Sequence, residues 1–166
     1  NKMENYIFKQ LDKHDAKAMF QLILERMDWF EQKGIQQWEK GDYDNIYPLG
    51  YYEKESEMGH LYGLIDQETN QLVCGAVLLE EDARWKDQAN AYYIHNLASN
   101  PYQKGTGKLF FSYLETFSKE KGKEYLRLDS LRGNETLEKY YSTLGFVEKG
   151  TCVEGNYHGI LRERKL

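Results

Sequence analysis

Two glycines, Gly105 and Gly107, stand where a β-prone stretch gives way to a helical one, in the run Asn100-Pro101-Tyr102-Gln103-Lys104-Gly105-Thr106-Gly107. Glycines at a strand-to-helix junction expose several backbone amides at the positive end of the helix dipole, which makes a seat for phosphate oxygens. An anion-binding turn is therefore the first chemistry the sequence suggests. Paired glycines also mark ordinary turns, so the plain alternative is a β–α connection without a ligand. The Walker phosphate loop is excluded, because Lys108 is followed by Leu109 and the four-residue spacing is missing. The dinucleotide fingerprint fails too, since Phe110 occupies the place of its third glycine.

Such a turn needs a strand before it and a helix after it. Ala91 to Ala98 reads as that strand. A helix is expected from about Gly105 to Lys121, with Leu109, Phe110, Tyr113, Leu114 and Phe117 on one face and Gly122 as its stop. Upstream, Tyr6 to Gln10 alternates as a first strand. Asp15 is a candidate N-cap for a helix in which Met19, Leu22, Ile23, Met27 and Phe30 recur at helical spacing until Gly34. The stretch from Gly34 through Trp38 and Tyr43 to Pro48 reads as an aromatic-rich loop, and Leu49 to Glu57 as a short acidic helix. His60 to Ile65 and Leu72 to Leu79 form a predicted hairpin around Asp66 to Asn70. The second of these is nearly all apolar, as in a central strand covered on both faces. After the charged loop from Glu80 to Gln88 and the glycine-turn unit come a strand at Tyr125 to Asp129, a helix capped by Asn134 and ended by Gly145, and two strands, Phe146 to Lys149 and Cys152 to Leu161. The order β-α-α-β-β-β-α-β-α-β-β predicts a mixed sheet with helices on both faces.

The chain has 166 residues, enough for one domain with a sizeable core, spanning 1–166. A formal charge of −5 without any basic cluster argues against nucleic acid as a partner and favours a cationic small substrate. Cys74 and Cys152 lack metal-ligand spacing, so buried reduced thiols are expected and no metal site is. No apolar run approaches the roughly 20 residues of a membrane helix, and no signal-peptide pattern is present. A cytoplasmic location without membrane association is the expectation.

The strand, the turn with Gly105 and Gly107 and the long helix together resemble the GNAT superfamily of acyl-CoA-dependent N-acyltransferases. A second stretch, Asn134 to Phe146, resembles the family's other signature, an Asn that opens a helix ending Tyr-x-x-Leu-Gly-Phe. The likeness in segment order runs from about Tyr6 to Leu166. One departure is plain: Tyr102 fills the Gln/Arg slot three places before Gly105, and Gln103 follows one place late. The resemblance implies a GNAT-like α/β fold, with a mixed, mostly antiparallel sheet of about seven strands and helices on both faces. It also implies that strands 90–98 and 124–129 splay apart and that acetyl-CoA binds between them. Leu97, Ala98, Asn134 and Tyr141 would border the cofactor, and the backbone from Gln103 through Lys104, Gly105, Thr106 and Gly107 to Lys108 would meet its pyrophosphate.

By the same resemblance a neutral primary amine attacks the thioester directly in a ternary complex. His95 stands near the family's base position and would take the proton, while Tyr141 would donate to the departing sulfur. Each has an ordinary alternative: a hydrogen-bonded histidine in a sheet, and a core tyrosine on a helix face. Trp29, Phe30, Trp38, Tyr43, Tyr47, Tyr51 and Tyr52 fall in the region that lies over the acceptor mouth in the family, unless they are simply core. Glu80, Glu81 and Asp82 are candidates to pair with an ammonium. The acceptor itself, from small molecule to peptide, is open, and so is a homodimer. Two rival readings stand beside the enzyme: a non-catalytic acyl-CoA-binding or regulatory module, and a nucleotide-binding protein.

Overall fold

The computed structural model describes residues 5–35 and 43–166. Its seven strands are β1 (Tyr6–Gln10), β2 (Leu61–Asp66), β3 (Gln71–Leu79), β4 (Ala91–Ser99), β5 (Tyr125–Leu131), β6 (Val147–Glu154) and β7 (Tyr157–Lys165). They form one sheet in the order β1-β2-β3-β4-β5-β7-β6. Every neighbouring pair is antiparallel except β4 with β5. Helices α1 (Ala16–Lys33) and α3 (Leu49–Glu57) cover one face, where Met19, Leu22, Ile23 and Tyr52 pack on Leu61, Val77 and Ala98. On the other face α4 (Thr106–Glu120) and α5 (Glu135–Thr143) bury Phe110, Phe111, Leu114, Leu137 and Tyr141 against Ala76, Ile94, Leu126 and Leu128. Strand β3 is buried without a break from Leu72 to Leu78, as a strand covered on both faces must be.

Three local readings of the sequence need correction. The stretch read as loop contains one helical turn, α2 (Tyr43–Ile46), while Trp38 lies outside the described residues. Asp15 holds the N-cap position of α1 as expected, but its side chain makes no bond to that helix, and the side-chain cap is Asp12, one short turn earlier. Asp12 Oδ1 accepts from the amides of His14 and Asp15, and the Asp15 carboxylate accepts from the Asp12 amide, a reciprocal box that starts a 3-10 turn leading into α1. At the C-terminal hairpin the break is not at Gly150-Thr151. Gly150 is a bulge inside β6, with the register shifting between Glu148 and Gly150. The turn is the two-residue loop Gly155-Asn156, with Gly155 at φ 59, and it closes the Glu154–Tyr157 pair.

What positions the site is the behaviour of β4. It pairs with β5 only from Ala91 to Tyr93, opposite Tyr125 to Arg127, although both strands run on for several residues. Beyond Tyr93 they part. On its other edge β4 carries a bulge, because Gly75 pairs with Ala98 and Val77 with His95, leaving Asn96 and Leu97 opposite the single residue Ala76. Asn96 sits there at φ 56, a left-handed conformation that asparagine tolerates better than most residues. Its side chain fixes the bend: Oδ1 accepts from the Tyr51 hydroxyl at 2.8 Å and Nδ2 donates to that of Tyr43 at 2.8 Å.

Candidate active site

Two cavities open where β4 and β5 separate, and they share Leu97 and Tyr141. The first, of about 330 Å³, ends at the glycine turn. Gly105 precedes α4 at φ 86 with open space beside it, so it is there for its backbone conformation. The Leu109 amide makes the helix's first bond, 3.0 Å to the Gly105 carbonyl, so the amides just before it have no helical partner. Among the described residues that line this cavity the charged ones are Arg26, Lys104 and Lys108, and no carboxylate accompanies them. An α-helical N-terminus and three cations favour an anion.

Gly107 lines this cavity and is also closely packed by the protein's own side chains. A Cβ there would meet the Tyr140 hydroxyl at 2.7 Å and Ser99 Oγ at 3.5 Å, so the close neighbour is the protein itself. Ser99 is in turn held by Arg26, whose Nε and Nη2 donate to the Ser99 carbonyl at 3.0 and 2.8 Å and whose Nη2 donates to Oγ at 2.6 Å. Replacing Gly107 by Val should therefore push Tyr140 and Ser99 into the cavity and weaken acetyl-CoA binding by about tenfold or more, an effect of ordinary overpacking. Calorimetry on a variant that keeps its circular dichroism spectrum measures this. Unchanged affinity would show that the turn does not hold the ligand.

Gln103 is anchored away from the cavity's amides: its Nε2 donates to the Tyr6 hydroxyl at 3.0 Å, with Asp66 Oδ2 at 3.4 Å, which ties the turn to the β1–β2 edge. Gln103 nevertheless lines the cavity, with Leu97, Ala98, Lys104 to Lys108 and Tyr141. Asn134 does not. It lines a neighbouring recess of about 390 Å³ with Arg132, and its Oδ1 caps α5 by accepting from the Leu137 amide at 3.1 Å.

Tyr141 is placed by the way α5 ends. Gly145, at φ 89, donates to the Ser142 carbonyl at 3.0 Å, and the Phe146 amide donates to the Tyr141 carbonyl at 3.0 Å. This pair of bonds is a Schellman cap, and its customary apolar contact is made by the rings of Phe146 and Tyr141, with centroids 6.0 Å apart. The Leu-Gly-Phe that follows Tyr141 is thus the device that sets its position. Burial, helped by the nearby Tyr140 and Asp129, pushes the Tyr141 hydroxyl well above its usual pKa, so it remains a proton donor.

The second cavity, of about 300 Å³, holds His95, Asp129, Arg84, Tyr43, Tyr47 and Tyr157. His95 Nε2 lies 2.8 Å from Asp82 Oδ2. Burial works to raise the Asp82 carboxyl, but hydrogen bonds from His95 and the Arg84 amide, with the charges of both residues, prevail and hold it below its usual value. An ionised carboxylate only accepts, so Nε2 carries the hydrogen and Nδ1 keeps the lone pair that can take a proton. Asp129 accepts from the Tyr157 hydroxyl at 2.6 Å, and Arg84 bridges Asp129 at 3.3 Å and Glu154 at 3.1 Å. The loop carrying Asp82 and Arg84 is pinned by Arg127, which donates to the Asp87 carbonyl and carboxylate, pairs with Glu163 and lies 4.0 Å over the Trp85 ring. Ligand atoms of Asp82, His95 and Asp129 approach within 4.8 Å of one another, but the Arg84 guanidinium already supplies the positive charge there.

Of the acidic and aromatic candidates, Asp82 joins the site, while Glu80 pairs with Lys123 outside it. Trp29 and Phe30 wall the first cavity, Tyr43 and Tyr47 the second, Tyr51 holds Asn96, and Tyr52 is core. Arg26, Arg84, Asp129 and Tyr157 were not singled out from the sequence.

A seven-stranded sheet that splays between β4 and β5, with a glycine turn leading into α4, is the fold of the GNAT-family acetyltransferases. Among solved structures the chain is similar to a GNAT-family acetyltransferase from Listeria monocytogenes 4b F2365, at 21% identity over 97% of this chain and 95% of that one, with a TM-score of 0.77. It is also similar to the PaiA N-acetyltransferase of Thermoplasma acidophilum in complex with coenzyme A, at 20% identity over 97% and 99% of the two chains and a TM-score of 0.73. A third is YncA of Salmonella typhimurium with its cofactor acetyl-CoA, at 14% identity over 98% and 94% and a TM-score of 0.65. No family model matches the sequence, and no curated protein is similar to it.

Proposed function

We propose that this protein is an acetyltransferase that moves the acetyl group of acetyl-CoA to a primary amine, by direct attack within a ternary complex. The observation that carries the reading is the meeting of two cavities of opposite charge at Leu97 and Tyr141. An anionic cofactor suits the one bounded by Arg26, Lys104, Lys108 and the α4 amides, and an amine suits the one bounded by His95 and Asp129. Coenzyme A complexes of similar folds support the choice of cofactor.

Acetyl-CoA supplies an activated thioester when bound. The chain's own residues do the rest. Leu97 and the bulge at Asn96 set the height of the floor on which both ligands lie. His95, oriented by Asp82, accepts the proton that an ammonium must lose before it can attack. Tyr141 offers its hydroxyl hydrogen to the sulfur that leaves. Holding the two ligands in one cleft removes the entropic cost of their encounter, and fixed geometry contributes much of the rate.

The test is calorimetric titration of the protein with acetyl-CoA and with ATP, followed by thiol release in a panel of primary amines. Acetyl-CoA should bind the tighter of the two, and at least one amine should release coenzyme A thiol. Tighter binding of ATP would make it a nucleotide-binding protein. Binding of acetyl-CoA with no thiol release from any amine would make it a non-catalytic acyl-CoA-binding module.

A further inference from the structure

The second cavity holds more negative than positive charge. Among the described residues that line it, Asp129 and Glu154 face the single guanidinium of Arg84, and Asp82 stands behind His95 as a third carboxylate. Arg84 is committed: its Nε donates to Glu154 Oε2 at 3.1 Å and its Nη1 to both oxygens of Asp129 at 3.3 and 3.4 Å. It also lies 5.5 Å over the Tyr157 ring. A carboxylate on the acceptor would have to displace these bonds and would then face Asp129 and Glu154. A second ammonium would instead find Glu154, which lines the cavity with its side chain 67% exposed and meets Arg84 through Nε, whereas Asp129 meets it through Nη1. The walls suit an alkyl chain between two such groups, since Tyr43, Tyr47, Ile46, Leu97 and Leu128 supply apolar surface and ring faces that attract cations. At about 300 Å³ the cavity stands at the small end of ligand sites, which favours a short molecule over a peptide.

We infer that the acceptor is a short aliphatic diamine, one amino group presented to His95 and the other held as an ammonium by Glu154. This rests on the acetyltransferase reading for its chemistry, but the charge pattern of the cavity can be tested without turnover. Three four-carbon compounds serve as probes: 1,4-diaminobutane, 1-aminobutane and 4-aminobutanoate. They share a chain and one amine and differ only in the second end.

Calorimetric titration of each into the coenzyme A-saturated protein should give a Kd for the diamine lower than that of the monoamine by about tenfold, the effect of one charge-assisted contact in a partly exposed site. The amino acid should bind more weakly than either. Glu154→Gln should narrow the diamine-to-monoamine ratio by about fivefold, a ratio taken within one preparation and so insensitive to loss of folded protein. Raising the salt concentration should narrow it as well. Equal binding of diamine and monoamine, or tightest binding of 4-aminobutanoate, overturns the inference. Thiol release measured on the same three compounds separates the two claims. A diamine preference in binding without thiol release would sustain the cation site and remove the enzyme, whereas thiol release fastest with 4-aminobutanoate would sustain the enzyme and remove the diamine.

Discussion

His95→Ala should lower kcat/KM for the amine by about 100-fold or more near neutral pH, the range expected when a general base is removed. The expectation rests on geometry. His95 lines the second cavity, its Nε2 is taken by Asp82 at 2.8 Å, and that arrangement leaves Nδ1 as the proton acceptor. An enzyme using that base loses activity as the imidazole protonates, so the acid limb of the kcat/KM profile should flatten in the variant. Asp82 cannot own that limb, since its carboxyl is held below the usual carboxylate range and stays ionised while the limb is traversed. Asp82→Asn therefore separates orientation from proton transfer. Without that carboxylate the ring loses its orientation but keeps its proton acceptor, so the loss of kcat/KM should be smaller than in His95→Ala. A purely structural histidine would leave the acid limb in place in His95→Ala. An unchanged acid limb in His95→Ala would assign the proton to water or another group.

The parts of this site that the sequence made legible are those set by local rules. The glycine turn and the Gly145 stop follow from left-handed conformations that few residue types adopt, the Asn134 cap from a side chain that accepts the Leu137 amide, and each is found where it was expected. The unbroken apolar run of β3 likewise has one explanation, burial on both faces. What stayed hidden depends on partners distant in the chain. Asp129 matters because Tyr157, on the next hairpin, and Arg84, in a charged loop, converge on it. Nothing in the spacing of those three residues announces that. The misplaced C-terminal hairpin made Tyr157 harder still to place, because Gly150 reads as a turn although it is a bulge. Arg26 did leave a trace. It falls on the stripe formed by Met19, Leu22, Ile23 and Phe30, where a helix that only packs would carry an apolar residue. An arginine on an apolar stripe has a partner to reach, and here it is Ser99 at the floor of the first cavity.

Tyr141→Phe should lower kcat by about 10- to 1000-fold while leaving the affinity for acetyl-CoA nearly unchanged. The substitution removes one oxygen and keeps the ring, so the contact with Phe146 at 6.0 Å and the Schellman bonds that end α5 should survive. The hydroxyl is the only element lost, from a residue that, with Leu97, lines both cavities. Burial keeps that hydroxyl protonated far above neutrality, so it can donate to a leaving thiolate across the whole working range of pH. Tyr140 supplies the control. Its hydroxyl is pushed up to about 12 by burial and packs against Gly107, and Tyr140 borders the first cavity, proposed for the cofactor, but not the second. Tyr140→Phe should accordingly act on the KM for acetyl-CoA and spare kcat. A split of this kind cannot come from general loosening of α5, which carries both residues and would shift both parameters in both variants. If Tyr141→Phe turns over like the parent while Tyr140→Phe does not, the donor lies one residue earlier. If both retain kcat, the thiolate leaves without help from either tyrosine.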